Sequence, residues 1–307
     1  MKFNRNTRFE RYFIEALSQS LTPQLMQRLV RGIIPNYDLH ERSGFPENIP
    51  IPKGDAAKQI YMDVMSQNLL THFIEILIDV DKNGVMGRPV SIRRLPEIIG
   101  ELEEAGLYYD ERYRAIIENE QRTKTVGWGV LREGFHYEFA FLLLDIVSNS
   151  KLVRKYSQAE IEKEYGEVKR MATNLVENRE GRIWRWEGDG ALAAFYFGNK
   201  NEQATLVGLE LLLEMFMYNL LDCPFDEGLN IRLVLHTGPC QFFHKVGEVQ
   251  NETLNRLSQM ESNYSEPNSL TISPGVYTDL GTKMERFFHH VEISPRNFLY
   301  RYKLRWE

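Results

Sequence analysis

The sequence predicts an α+β fold for the second half of the chain and an α-helical domain before it. From about residue 135 onward, short apolar runs typical of β-strands alternate with amphipathic helical stretches. Before residue 130, apolar residues recur mainly at helical spacing. The run over residues 139–147 is apolar on both faces apart from one carboxylate near its end, which is typical of a central strand buried on both sides. At 307 residues, the chain is long enough for one large domain or two smaller ones.

Helical spacing dominates the N-terminal part. Helices are predicted over residues 1–32, 55–78 and 91–105, with a proline-rich connector over 35–52. The stretch 79–84 resembles the opening of a calcium-binding loop, but the twelfth position of that loop is Val90 instead of a glutamate. A turn that ends the preceding helix is therefore favoured over a calcium site.

Residues 1–130 are therefore expected to form a helical regulatory or dimerisation module. A helix followed by Gly106 and by tyrosines also occurs in winged-helix DNA-binding domains. The acidic face of this helix argues against DNA as its ligand; the acids are Glu97, Glu101, Glu103 and Glu104. The net charge of −6 likewise disfavours nucleic acid as the partner.

Residues 135–307 are predicted to form the second domain. Strands are predicted over 137–147, 182–187, 191–197, 229–236, 269–273, 287–293 and 298–305, and helices over 150–178, 202–221 and 253–263. The first of these helices is expected to break near Ser157. The order β-α-α-β-β-α-β-α-β-β is that of a ferredoxin-like sandwich with extensions, in which helices pack on an antiparallel sheet.

The sequence carries no sign of export or of a membrane span. The N-terminus lacks the apolar segment of a signal peptide. The most apolar helical stretch, 204–221, is interrupted by Glu210 and Glu214, which favours a core helix. Cys223 and Cys240 form no metal-ligand pattern and are expected to be free thiols. We therefore expect a cytoplasmic protein.

Two acids stand where a metal ion can bind. Asp145 ends the apolar run, and a lone carboxylate there is costly unless it meets a cation. Asp189 lies between Gly188 and Gly190 at the tip of a predicted hairpin, where glycines let a metal or a large anion approach the backbone. If the two strands pair, both acids share one end of the sheet and can hold Mg²⁺ or Mn²⁺ with a triphosphate. The alternatives are a helix N-cap for Asp145 and a simple turn acid for Asp189.

Four short motifs follow one another over residues 137–305. They are Leu144-Asp145-Ile146-Val147, Gly188-Asp189-Gly190, Ile231-Arg232-Leu233-Val234-Leu235-His236-Thr237-Gly238, and Glu252-Thr253-Leu254-Asn255 with Met260-Glu261-Ser262. In this order and spacing they resemble the catalytic domain of class III nucleotidyl cyclases. The resemblance implies a homodimer with active sites between the two chains, two divalent ions (Mg²⁺ or Mn²⁺) per site, and conversion of a nucleoside triphosphate to a 3′,5′-cyclic monophosphate and pyrophosphate.

The resemblance also implies roles for individual residues. Asp145, the carbonyl of Ile146 and Asp189 would be the metal ligands. Ser148 and Asn149, in the loop that opens the next helix, would offer backbone N–H groups to phosphate oxygens. This loop departs from the family, which usually has Gly-Phe-Thr there.

The residue four positions before Asp189 bears on the choice of base. Purine cyclases have Lys or Glu there, whereas this chain has Arg185, whose planar fork of donors suits the carbonyl oxygen of a one-ring base. That resembles the pyrimidine cyclases of bacterial anti-phage (Pycsar) systems, which implies UTP or CTP as substrate. The alternative is that Arg185 only pairs with Glu187. Glu248 falls near the second base-contacting position of the family.

The residues that would stabilise the transition state depart from the family. Asn255 is present, but Gln259 stands where an arginine is expected. Arg256 is close in sequence but points about 100° away from Asn255 around the helix. The phosphate-binding lysine of the family is also missing. Arg301, Lys303 and Arg305 are candidates to replace it, and the alternative is that strand alternation puts them on a solvated face. Two alternatives to a pyrimidine cyclase stay open, namely an adenylate cyclase and a catalytically silent cyclase-like module that binds nucleotide or only dimerises.

Overall fold

The computed structural model describes residues 7–147, 149–243, 251–294 and 297–304. The chain divides into two compact units, the first ending at Arg132 and the second beginning at Glu133. Each unit has its own hydrophobic core.

The first unit is helical and ends in a short antiparallel hairpin. Its elements are α1 (Thr7–Ser20), α2 (Pro23–Arg31), α3 (Leu39–Ser43), α4 (Lys53–Ser66), α5 (Leu70–Asn83), α6 (Leu95–Glu104), β1 (Leu107–Asp110) and β2 (Ala115–Glu118). The ring of Phe13 is central to the core, with its centroid 5.4 Å from that of Tyr61 and 5.8 Å from that of Phe73.

Two of the predicted helices are each split in two. The predicted helix 1–32 ends at Ser20, and α2 starts anew because the Thr22 side chain accepts a hydrogen bond from the N–H of Leu25. The predicted helix 55–78 is interrupted at Asn68, which adopts φ +54°, a conformation that asparagine tolerates better than most residues. The N-cap at Thr22 and the left-handed conformation of Asn68 therefore interrupt helices that the apolar periodicity alone predicts to be continuous.

The segment after α5 is the turn that the sequence favoured. Gly84 caps α5 with φ +72°, and the carboxylate of Asp81 accepts a hydrogen bond of 2.7 Å from the N–H of Ile92. The following helix, α6, begins at Leu95, four residues later than predicted. The hairpin of β1 and β2 was not predicted.

The second unit alternates strands and helices. Its elements are β3 (His136–Ile146), α7 (Asn149–Lys155), α8 (Gln158–Asn178), β4 (Arg182–Glu187), β5 (Gly190–Phe195), α9 (Lys200–Leu221), β6 (Ile231–Gln241), α10 (Glu252–Tyr264), β7 (Ser269–Ile272), α11 (Pro274–Thr278), α12 (Thr282–Glu285), β8 (His289–Ser294) and β9 (Asn297–Lys303). As predicted, the helical stretch after β3 breaks near Ser157, which begins α8 with a capping box to Glu160.

The strands form one seven-stranded mixed sheet in the order β4-β5-β3-β6-β7-β9-β8. The first four strands have the ferredoxin-like order, and all neighbours are antiparallel except β6 and β7. The predicted α+β fold class is therefore confirmed.

The two faces of the sheet carry different side chains. On one face, Leu142 and Leu144 of β3 pack in a core that includes Val168 of α8 and Leu211 of α9. Successive strand residues point to opposite faces. Phe139 and Phe141 therefore lie on the other face, where both rings contact Trp184. Helix α10 packs along β6, and Arg232 of β6 and Glu261 of α10 form an ion pair.

Strand β6 continues five residues beyond the predicted end at His236. This continuation includes Pro239, although proline lacks the N–H that a central strand donates. The ladder to β7 spans only Arg232 to Leu235, whereas the ladder to β3 continues to Gln241. Pro239 therefore lies where β6 has become an edge, and an edge tolerates proline.

Among the described residues, α9 is long and apolar enough to cross a membrane by length and composition. In its most apolar window, 39% is buried inside the protein. Core helices of water-soluble proteins pass the same test, so this property does not distinguish the two environments.

Candidate functional site

The pairing of β3 with its two neighbours places Asp145 beside the hairpin tip. In the sheet register, Asp145 is opposite Gly190 on β5 and opposite Arg232 on β6. The N–H of Ile146 donates a hydrogen bond of 3.0 Å to the carbonyl oxygen of Asp189. The two acids of the sequence analysis therefore lie at the same end of the sheet.

The turn that carries Asp189 depends on its flanking glycines. Gly188 has φ +54°, in the left-handed region that glycine adopts without strain. A Cβ on Gly190 would lie 3.2 Å from the carbonyl oxygen of Leu144. Glycine at this position therefore avoids a tight contact between the hairpin tip and the end of β3.

The carboxylate of Asp145 is already neutralised by an arginine. Arg232 donates to it from Nε at 3.1 Å and also from Nη2. The same Nη2 lies 2.7 Å from Oε1 of Glu261 on α10. All three side chains are at least two-thirds buried, so these ion pairs are screened less than surface pairs.

Sequence reasoning missed Arg232 and Glu261. It stated that a lone carboxylate at the end of β3 must meet a cation, and it expected a metal ion. The signal for Arg232 was the single arginine in the apolar run 231–235. Its pairing with Asp145 depends on the register of two strands almost 90 residues apart, which the sequence does not reveal.

Tyr165 of α8 lies near both acids. Burial, and then the negative charges of Asp189 and Asp145, raise the pKa of Tyr165 to about 12. The phenol is therefore neutral at pH 7 and can donate a hydrogen bond to an oxygen at this end of the sheet. The sequence did not predict a role for Tyr165, because a tyrosine on the third turn of a helix belongs to no motif that points to a site.

The donor chemistry at this end of the sheet fits a hard divalent cation. Mg²⁺ and Mn²⁺ prefer carboxylate and carbonyl oxygens, which Asp145, Asp189 and the backbone of Ile146 supply. In the part of the chain that the structure describes, no three His, Cys, Asp or Glu side chains form a ready-made ligand set. A cation here would take its remaining ligands from water or a substrate, and it would compete with Arg232 for Asp145.

Arg185 lies on β4, beside a bulge between Ile183 and Arg185. Its side chain is 41% exposed, and its Nε lies 3.6 Å from Oε2 of Glu187. The pairing weighed as the alternative role for Arg185 is therefore present. An exposed ion pair of this kind contributes little to stability, at most about 1 kcal/mol.

A cavity of about 1080 Å³ opens between the N-terminal half of α10 and the far end of β6. Its lining includes Asn255 and Gln259, which the resemblance placed together. The other polar side chains on its wall are those of His136, His236, Thr237, Asn251, Glu252, Thr253 and Arg256.

Arg256 lies in this cavity wall together with Asn255 and Gln259. The prediction compared Arg256 with Asn255, from which it diverges by about 100° around the helix. The expected position of the arginine is Gln259, and residues three apart on a helix are surface neighbours, about 60° apart in angle. Glu252, Asn255, Arg256 and Gln259 thus form one stripe on α10.

His236 shares the cavity wall with Arg256. Its Nδ1 lies 2.9 Å from Oγ of Ser273. Burial, and then the positive charge of Arg256, lower the pKa of His236 to about 4. The imidazole is therefore neutral at pH 7, and the guanidinium of Arg256 lies within electrostatic range of it.

Within one chain, this cavity and the two acids lie at different ends of β6. His236 and Arg232 are four residues apart on the strand, which is about 13 Å. Helix α10 spans both ends, with Thr253 bonded to the carbonyl of Pro239 and Glu261 paired with Arg232.

Other predicted phosphate ligands are engaged elsewhere or lie outside the described residues. Arg301 contacts Glu266 and the carbonyl of Tyr264, and Lys303 lies 2.6 Å from Glu266. Ser148, Glu248 and Arg305 lie outside the described residues, and Asn149 is described only as the first residue of α7.

Comparison with solved structures finds similar folds among cyclase domains. The guanylyl cyclase domain of the RhoGC fusion protein from the aquatic fungus Blastocladiella emersonii has 16% identity and a TM-score of 0.46, over 56% of this chain and 98% of that chain. The guanylate cyclase domain of RhGC from Catenaria anguillulae in complex with GTP has 16% identity and a TM-score of 0.47, over 54% and 96%.

The adenylyl cyclase CyaB from P. aeruginosa has 15% identity and a TM-score of 0.47, over 56% of this chain and 96% of that chain. No protein-family model and no curated protein sequence matches the chain. The likeness is one of overall fold.

We expect Arg232→Met to make the protein more responsive to Mn²⁺. Loss of the guanidinium leaves Asp145 and Glu261 without their shared partner and lowers the free energy of unfolding by about 1–3 kcal/mol. A divalent cation then binds Asp145 without displacing an arginine, so it stabilises the variant more than the wild type. The measurement is the melting temperature as a function of Mn²⁺ concentration.

The matched control is Arg179→Met, which removes the ion pair between Arg179 and Glu210. This variant is expected to respond to Mn²⁺ like the wild type. An equal Mn²⁺ response of Arg232→Met and the wild type would show that the acids at this end of the sheet do not bind the cation.

Proposed function

We propose that the chain is a nucleotidyl cyclase that converts a nucleoside triphosphate, preferentially UTP or CTP, to a 3′,5′-cyclic monophosphate and pyrophosphate. The observation that carries the proposal is the convergence of Asp145 and Asp189 at one end of the sheet, with Tyr165 beside them. A cytoplasmic location and a role of the product as an anti-phage signal belong to the same proposal.

The proposed reaction is an in-line displacement. The ribose 3′-oxygen bonds to the α-phosphorus, the bond from that phosphorus to the bridging oxygen breaks, pyrophosphate leaves, and the 3′-hydroxyl proton passes to solvent. Divalent cations bound here would lower the pKa of the 3′-hydroxyl and neutralise the triphosphate. Asp145, the Ile146 carbonyl and Asp189 would hold them, and Tyr165 would donate a hydrogen bond to a phosphate oxygen or to one of the acids.

We propose that the active site forms between two copies of the chain. The groups that stabilise the transferring phosphate must contact the same atoms that the metal ligands hold. In one chain, Asn255 belongs to a cavity about 13 Å along β6 from the acids. A second copy that presents its α10 to Asp145 and Asp189 would bring its Asn255 and the metal ligands of the first copy into one site.

The pyrimidine preference rests on Arg185. Its guanidinium has donors beyond the Nε that faces Glu187, and it is exposed at the hairpin edge, where a base could approach. Asn149 and Ser148 would bind phosphate through the backbone at the start of α7, and Glu248 would be a second base contact.

A catalytically silent nucleotide-binding or dimerisation module is the second candidate function. Two observations favour it. Arg232 already neutralises Asp145, and Gln259 replaces the arginine expected from the resemblance. An adenylate cyclase is the alternative within the enzyme class.

The first prediction of this proposal is a cyclic product and pyrophosphate from UTP or CTP in the presence of Mn²⁺. Asp145→Asn and Asp189→Asn are expected to lower the rate at least about 100-fold, because each removes a ligand charge from the cations. The control is Asp226→Asn, an exposed acid paired with Lys155. Products from all four triphosphates are measured by chromatography. A product from ATP alone would identify an adenylate cyclase, and no product would favour the silent module.

Complementation between two inactive variants tests the shared site. Asp145→Asn and Asn255→Ala, each inactive alone, are mixed after unfolding and joint refolding. If each site takes acids from one chain and Asn255 from the other, half of the dimers are mixed and each has one intact site, so up to about a quarter of the wild-type rate returns. Mixed dimers are demonstrated by two affinity tags. If such dimers recover no activity, the acids and Asn255 of each site belong to the same chain.

Arg185→Ala tests the base contact. The variant is expected to lose selectivity between pyrimidine and purine triphosphates, a change of about 10–100-fold in the ratio of kcat/KM values. Its Mn²⁺ dependence should not change. The control is Glu187→Gln, which removes only the ion-pair partner. The same change in both variants would show that Arg185 acts through Glu187 and does not contact the base.

A further inference from the structure

We propose that Arg256 supplies the positive charge that Gln259 does not, and that its guanidinium contacts the transferring phosphate. This inference rests on the proposed function and adds a residue that the resemblance does not assign. It starts from one cavity, in whose wall Asn255, Arg256 and Gln259 lie together.

The geometry of α10 allows Arg256 to act in place of an arginine at position 259. Arg256 precedes Gln259 by three residues, and such pairs are neighbours on a helix surface, with Cβ atoms about 5–6 Å apart. An arginine side chain extends about 6–7 Å from its Cα, a span set by its bond lengths. The guanidinium of Arg256 can therefore reach the same phosphate that an arginine side chain at position 259 would contact.

The packing of α10 fixes the stripe that faces the cavity. Beside the stripe, Leu257 and Met260 are buried, and Thr253, at the edge of the cavity wall, donates a hydrogen bond of 2.7 Å to the carbonyl of Pro239. The helix cannot rotate without breaking these contacts. Arg256 is partly buried at the border of the cavity, whereas Asn255 and Gln259 are exposed.

The electrostatics of the cavity favour an anion near Arg256. His236 is neutral and contributes no charge, and Ser273 occupies its Nδ1. Glu252 is the acid on this wall, and it lies one turn before Arg256 on the same stripe. A pair with Glu252 would hold the guanidinium at the border of the cavity, and a triphosphate, with several negative charges, would compete for it.

The test measures both turnover and anion binding in the full-length protein. Arg256→Gln is expected to lower kcat about 10²–10³-fold, the usual effect of losing one charge-stabilising donor. It is also expected to weaken binding of inorganic tripolyphosphate, measured by calorimetry, about 10-fold. The matched control is Ser258→Ala, an exposed position on α10 outside the cavity wall.

A second substitution separates a direct role from a structural one. Adding Gln259→Arg to Arg256→Gln returns a guanidinium to the same stripe and is expected to restore kcat to within about 10-fold of the wild type. An arginine that only stabilised α10 would not be replaced in this way. Loss without rescue, or an Arg256→Gln variant equal to Ser258→Ala, would overturn the inference.

The two proposals fail in different ways. If the wild type releases no pyrophosphate from any triphosphate, the proposed function fails. The tripolyphosphate measurement then tests the inference about Arg256 independently. Weaker binding by Arg256→Gln than by the wild type supports an anion contact of Arg256, and equal binding overturns the inference. Melting curves of each variant confirm that the folded protein was compared.

Discussion

The second unit depends on one constraint, that a carboxylate at the end of a buried strand must meet a positive charge. Asp145 ends β3 between two neighbouring strands, and water reaches it only in part. Desolvation of an ionised carboxylate is costly unless a cation compensates it. The fold supplies that cation as Arg232, and Glu261 shares it from α10. A divalent cation would meet the same requirement and would compete with the arginine for Asp145. Under the proposed function, the balance between the two would separate a cyclase from a silent module.

Much of this site could be predicted from sequence because its parts are local. The strand that ends in Asp145 and the glycine-flanked turn of Asp189 each carry their own pattern, and strand order follows from the succession of elements. Arg232 escaped prediction because its partner is 87 residues away and only the register joins them. The place of Arg256 in the cavity wall was missed for another reason. Arg256 points about 100° away from Asn255 around the helix, but only about 60° away from Gln259. In the first unit, the N-cap at Thr22 and the left-handed Asn68 ended helices that apolar periodicity alone would continue.

Helix α10 connects the acid cluster with the cavity. Its N-terminal end is fixed where Thr253 meets the backbone of β6, and its other end is tied through Glu261 to Arg232 and thereby to Asp145. A Cβ on Gly238 would lie 2.7 Å from Oγ1 of Thr253. Glycine at this position thus sets how closely the helix approaches the strand.

This close approach has a consequence for the charges. Helix α10 is held at both ends, by Thr253 beside the cavity and by Glu261 at Arg232. Under the two proposals, an anion bound by Arg256 and a cation bound by Asp145 would contact groups at opposite ends of this helix. When a cation binds Asp145, Arg232 keeps Glu261 as a partner, so no buried charge is left without compensation. Glu261 would thus lower the energetic cost of exchanging the arginine for a metal ion, which a pair of Asp145 and Arg232 alone would not do.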